Sequence, residues 1–170
     1  MDFTNREWWG LIHGMGLGAL FLLAFAGGLA GLYSLRPGLV TAEGVKERMR
    51  RLKIGTAFMA VVAWLTVITG TWIVYPWYRE DVASSARSKL LANPGTEDWH
   101  IFGMEWKEHI AWISPILFTA AAFIVVYYGS NLIRHERVRR TVMGLFVLAF
   151  AAAAIAGLFG ALITKVEPVK

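Results

Sequence analysis

The residues best able to do chemistry in this 170-residue chain are two histidines set in or beside uncharged stretches: His13 in "WWGLIHGMGLGAL" and His109 in "GMEWKEHIAWISP". A neutral imidazole can bind a metal through its bare ring nitrogen, or accept a proton near neutral pH. The chain has no cysteine, which removes disulfides, thiolate metal sites and covalently attached c-type haem. Two neutral nitrogens suit bare zinc poorly, because zinc takes four ligands. They suit haem iron, whose porphyrin fills the other four positions. The expectation is one non-covalent haem b with His13 and His109 as the metal ligands. His100 precedes His109 by nine residues, which on a continuous helix is about 13 Å along the axis and the opposite face. It is therefore excluded from the same iron, and reads as a surface residue or as a proton acceptor at a quinol site. His135 sits between Arg134 and Arg137 and reads as a solvated loop residue.

The elements that must position these imidazoles are long apolar runs. Trp8–Leu35, Ile54–Tyr78, Ile110–Tyr128 and Thr141–Thr164 hold 28, 25, 19 and 24 residues and contain no Asp, Glu, Lys or Arg. A helix of about 20 residues crosses the hydrocarbon core of a bilayer. With 56% hydrophobic residues, the chain is predicted to be all-α: an integral membrane four-helix up-down-up-down bundle. Its spans fall at about 8–35, 54–78, 108–129 and 141–164, with an outer loop at 79–107, all in one membrane domain. The first run is too long, and lacks the basic start, for a cleaved signal peptide.

Charge sets the expected orientation. The segments Arg36–Lys53 and Asn131–Arg140 carry ten Lys/Arg and three acids, whereas the two tails and the Arg79–Glu108 segment carry seven Lys/Arg and nine acids. Positively charged loops stay in the cytoplasm, so both termini are expected outside, in a bacterial inner membrane. The excess of five positive charges is thus a topology signal, and no soluble basic face remains for nucleic acid. The basic segments end alike, "ERMRRLKIG" at Glu47–Gly55 and "ERVRRTVMG" at Glu136–Gly144, 89 residues apart. The match is read as a duplicated two-helix hairpin, with convergent membrane-flanking arginines as the alternative.

His13 follows Trp8 by five residues, which puts it roughly 7 Å into the first span. An ionisable group there marks function by default; the alternative is a neutral ring bonded to a carbonyl of a neighbouring helix. Gly10 and Gly16 lie three residues either side of His13 on nearly its face, which leaves room for a flat cofactor. The alternative for them is helix packing through the series Gly10, Gly14, Gly18. The first and third helices of such a bundle stand diagonally across the core, so His13 and His109 can approach one iron from opposite sides. Arg79 and Lys107, with Arg6, are the outer cations closest to the expected haem propionates, and Glu105 precedes His109 by one turn. Asn93-Pro94-Gly95 is a turn signal. Thr96 or Asp98 is the expected cap of the helix that follows, and Pro115 is expected to kink it.

Four spans with histidines on the first and third resemble the bacterial four-helix b-type cytochrome membrane subunits, in which diagonal helices hold haem by bis-histidine ligation. The resemblance implies electron transfer between the quinone pool and an outer-side redox partner. It also implies a subunit of a respiratory or photosynthetic complex rather than a stand-alone enzyme. One haem is expected, since the inner half of the spans has no histidine. Two other functions compete: a non-haem anchor for a larger complex, and an outer-leaflet copper handler using Met15 and Met104 beside the two histidines.

Overall fold

The computed structural model describes residues 2–168, the side chain of Ala42 excepted. Lys170, counted above among the C-terminal charges, lies outside them. All regular structure among the described residues is helical. Four helices are long and apolar enough to cross a membrane: α1 (Asn5–Ser34), α2 (Glu43–Tyr78), α4 (Trp99–Ile133) and α5 (Glu136–Val166). One short helix, α3 (Ala86–Leu91), lies in the connection between α2 and α4. The chain is a multi-pass membrane protein.

Local chemistry explains the ends. Thr4 and Glu7 cap α1 reciprocally: the threonine oxygen accepts from the Glu7 N–H at 3.3 Å, and a Glu7 oxygen accepts from the Thr4 N–H at 2.8 Å. Ser85 caps α3 by accepting from the Ser88 N–H at 3.2 Å. The Asn93–Gly95 turn forms as expected, with the Asn93 Oδ1 accepting from the Gly95 N–H at 2.9 Å. The expected caps of α4 do not form. Asp98 makes no side-chain cap bond, and the Thr96 hydroxyl instead donates back to the Leu90 carbonyl at 3.0 Å. α4 starts at Trp99, well before residue 108, because its charged first turns stay helical.

The chain divides into two compact units. The first comprises Met1–Gly18, Leu65–Ile113 and Ala152–Lys170; the second comprises Ala19–Trp64 and Ser114–Ala151. Each long helix contributes to both.

In the first unit the helices are irregular. Wide turns, with hydrogen bonds reaching five residues back, occur at Ile12–Gly16 in α1, Gly70–Val74 in α2 and Trp99–Met104 in α4. The Leu17 N–H donates to Ile12, and the Tyr75 N–H to Gly70. In α2 the cause is Pro76, which has no N–H to give and whose ring would clash with the carbonyl four residues before it. In α1 the glycines at 14 and 16 remove side-chain resistance to widening. α4 is interrupted again at Trp112, between its stretches Glu105–Ala111 and Ile113–Tyr128, because Pro115 cannot donate to Ala111. Tyr78, Ala86, Leu90, Met104 and Ile163 form this unit's apolar core. Lys89 pairs with Glu167 at 2.6 Å, and Arg6 with Glu80.

The second unit is regular and apolar. Phe21, Phe25, Phe118, Phe146 and Phe150 form a ring cluster whose nearest pair, Phe25 and Phe150, stack with centroids 4.0 Å apart. Gly28 must be glycine here, since a Cβ would stand 2.5 Å from Phe146 Cε1. Arg139 is buried and donates to the carbonyls of Leu35 at 3.0 Å and Ile133 at 3.3 Å. It thereby satisfies carbonyls at the ends of two helices, which otherwise lack partners. Its counterpart in the matched loop sequences, Arg50, is instead exposed and pairs with Glu47 at 3.4 Å.

Candidate functional site

His13 lies in the wide turn of α1 and is half-buried against α2. Its Nδ1 is 2.9 Å from Thr69 Oγ1. The Thr69 hydroxyl has one proton, and it donates that proton to its own helix, to the Leu65 carbonyl at 2.8 Å. Toward His13 it can only accept, so Nδ1 carries the ring proton and Nε2 is a bare lone pair. The ring is seated over Gly70, where a Cβ would lie 3.0 Å from Cε1 and 3.4 Å from Nε2. Thr69 and Gly70 thus orient the imidazole in the way that outer partners orient metal-binding histidines.

His109 has the same tautomer by a different route. Its Nδ1 lies 2.6 Å from the Glu105 carbonyl oxygen, which can only accept, so Nε2 is again bare. It stands on an exposed face of α4 beside Phe102, Trp106 and Ile113. Among the described residues no hydrogen bond or ring contact joins His109 to His13. The donor chemistry of each ring fits haem iron.

The other expected site residues are placed differently from the sequence reading. A Cβ at Gly10 would meet nothing within 4 Å, and one at Gly16 only the Leu11 carbonyl of its own helix at 3.9 Å. Their clearance faces no other helix; the glycine that clears space for His13 is Gly70. Arg79 is committed: it pairs with Glu105 at 2.7 Å and lies over the Tyr75 ring at 5.1 Å. Lys107 turns inward, its stem crossing Gly160 of α5, where a Cβ would be 3.2 Å from Cε and 3.5 Å from Nζ. The copper set does not assemble, because Met15 is 70% exposed while Met104 is 4% exposed in the core beside Leu90. Among the described residues no three His, Asp or Glu side chains are grouped to hold a bare metal ion.

The structure adds a polar network that the sequence reading left at the surface. Among the described residues, Glu108 Oε1 and Tyr75 Oη are buried atoms without a hydrogen-bond partner. His100 is buried rather than on the surface, 6% exposed. Arg87 Nε, which can only donate, reaches its Nε2 at 3.3 Å, so Nδ1 carries the proton and donates to Tyr78 Oη at 3.0 Å. Both ring nitrogens are engaged, which leaves no lone pair for a metal. One signal was available: on a helix the charges at 105 and 108 lie on one side and that at 107 on another, so they cannot all share one face. No protein-family model, curated protein or solved structure matches this chain.

Proposed function

We propose that the protein is a membrane electron-transfer subunit of the b-type cytochrome kind. It would bind one haem b through Nε2 of His13 and His109, and pass electrons between the quinone pool and a redox partner on the side of the α2–α4 connection, within a larger complex. The observation that supports this is the tautomer: Thr69 and the Glu105 carbonyl each hold a ring proton on Nδ1, which leaves two bare Nε2 atoms. Bound haem supplies one-electron chemistry. The chain supplies the oriented nitrogens and an apolar surround. His13 is half-buried and His109 exposed. Pyridine haemochrome analysis of the purified protein should give one haem b per chain with a low-spin spectrum. His13→Ala and His109→Ala should each abolish that spectrum, and His135→Ala should leave it intact. A colourless wild type would end the proposal, and a low-spin spectrum that survives His109→Ala would end the ligand pair.

The same reading places the four spans as an up-down-up-down bundle in a bacterial inner membrane, with both termini outside. The support is the ten Lys/Arg in the two basic segments. Reporter fusions at Glu43 and Asn93 should report the cytoplasm and the outer side respectively. The reverse result would overturn the orientation.

A further inference from the structure

Arginines from three parts of the chain meet at the end of α1. Arg36 lays its guanidinium over the Tyr33 ring at 3.8 Å. Arg48 of α2 donates to the Ser34 carbonyl at 3.0 Å. Arg139 of α5 donates to the Leu35 and Ile133 carbonyls, both bonds leaving from Nη1. Carbonyls at a helix end carry only partial negative charge, so they satisfy hydrogens without cancelling full positive charges. No carboxylate cancels them either. Among the described residues Glu47 pairs with Arg50 and Arg51, Glu136 pairs with Arg140, and Glu43 forms no ion pair. Arg139 is the sharpest case, because it is 6% exposed and a buried charge without a counter-charge is costly.

We propose that the end of α1 is a binding site for an anionic phospholipid, its phosphodiester held by Arg36 and Arg48 above the buried charge of Arg139. Planar guanidinium groups match phosphate oxygens in pairs, and basic pockets at the ends of membrane helices take lipid headgroups. The surface of α1 selects a lipid over a free phosphate. Leu22, Ala26, Ala30 and Tyr33 recur at helical spacing and are all exposed, so an uncovered, largely apolar stripe runs along the helix to the arginines. An acyl chain laid on this stripe brings its phosphate to the level of Tyr33, an aromatic ring of the kind that sits at headgroup depth. A free phosphate leaves the stripe uncovered. The headgroup is anionic overall, since a choline would return the positive charge that the site already holds in excess. These residues all lie in the second unit, whereas His13 and His109 lie in the first, so the lipid's binding is independent of haem.

The experiment uses the full chain in a neutral detergent and counts bound lipids by native mass spectrometry, titrating phosphatidylglycerol against phosphatidylcholine. Phosphatidylglycerol should bind at least about tenfold more tightly, in keeping with the attraction of each arginine for an anionic headgroup. Arg36→Gln together with Arg48→Gln should remove that preference. Both positions are exposed, and an unchanged elution profile and helical circular dichroism confirm the fold. The control removes equal charge from the neighbouring segments: Lys46→Gln together with Arg137→Gln. Each of these stands two residues before an arginine of the site, so it faces the other side of its helix, and the preference should persist. Equal affinity for the two lipids overturns the proposal. An equal loss in both double variants overturns it too, because the attraction would then be diffuse. So does displacement of the lipid by inorganic phosphate but not by chloride at matched ionic strength, which would mark a site for free phosphate.

Discussion

The two units are built from the same four helices and differ in what they bury. The second stacks phenylalanines on regular helices, and its one buried charged residue, Arg139, spends its protons on helix-end carbonyls. The first holds three wide helical turns and an interrupted helix; it buries His100 and leaves His13, Tyr75, Lys107 and Glu108 half-buried. The coincidence has a physical basis. A wide turn displaces one residue from the regular phase, so a side chain can point inward where an ideal helix would aim it elsewhere, and such turns recur at functional sites. The second unit buries apolar rings among regular turns; the first places polar groups among irregular ones.

That contrast can be broken by exchanging the character of either half. Phe146→Ala should have the largest effect, because Phe146 is fully buried and contacts Phe25, Phe118 and Gly28. A loss of about 3–5 kcal/mol is expected for such a cavity, measured by denaturation in mixed micelles. Next, replacing the first unit's charges together, Lys107→Met with Glu108→Leu, should raise stability in the same assay by about 1–4 kcal/mol, since buried charges often cost more than apolar side chains of similar volume. A destabilised double variant would show instead that the pair holds the fold. The smallest effect is expected for Thr69→Val, about 1 kcal/mol for one hydrogen bond. Nitrogen-15 NMR of labelled histidine should then show His13 losing its single tautomer, while His109, held by a backbone carbonyl, keeps it.

The four membrane helices were legible in the sequence because uncharged runs of this length have few other uses. Their geometry at the site was less legible, for reasons that can be named. Helix phase was counted on an ideal 3.6-residue turn, and nothing in "IHGMG" or "WHIFGM" announces a wide turn. Pro76 was the one clue for α2. Lys107 was read as a cation beside the haem propionates, and Glu108 only as one of the outer segment's charges. The inward turn of Lys107 depends on Gly160, which lies far from it in sequence. Gly70 was overlooked for the same reason: its role is defined by His13 on another helix. The tautomer of His109, by contrast, rests on a carbonyl one turn before it and was within reach of helix geometry.

The connection between α2 and α4 is held in two ways that respond oppositely to solution conditions. Its middle is anchored by Ala86 and Leu90 in the apolar core, which salt does not weaken. Its first residues and the outer side of α3 are tied by partly exposed ion pairs, Arg6 with Glu80 and Lys89 with Glu167. Mobile ions screen such pairs within a few ångströms at high concentration. Ionic strength should therefore loosen these two ties and leave the apolar anchor of α3 docked. Trypsin would then meet Arg79, whose pair with Glu105 is partly exposed, as a progressively easier target, while Arg87, tied to His100 on the docked α3, resists.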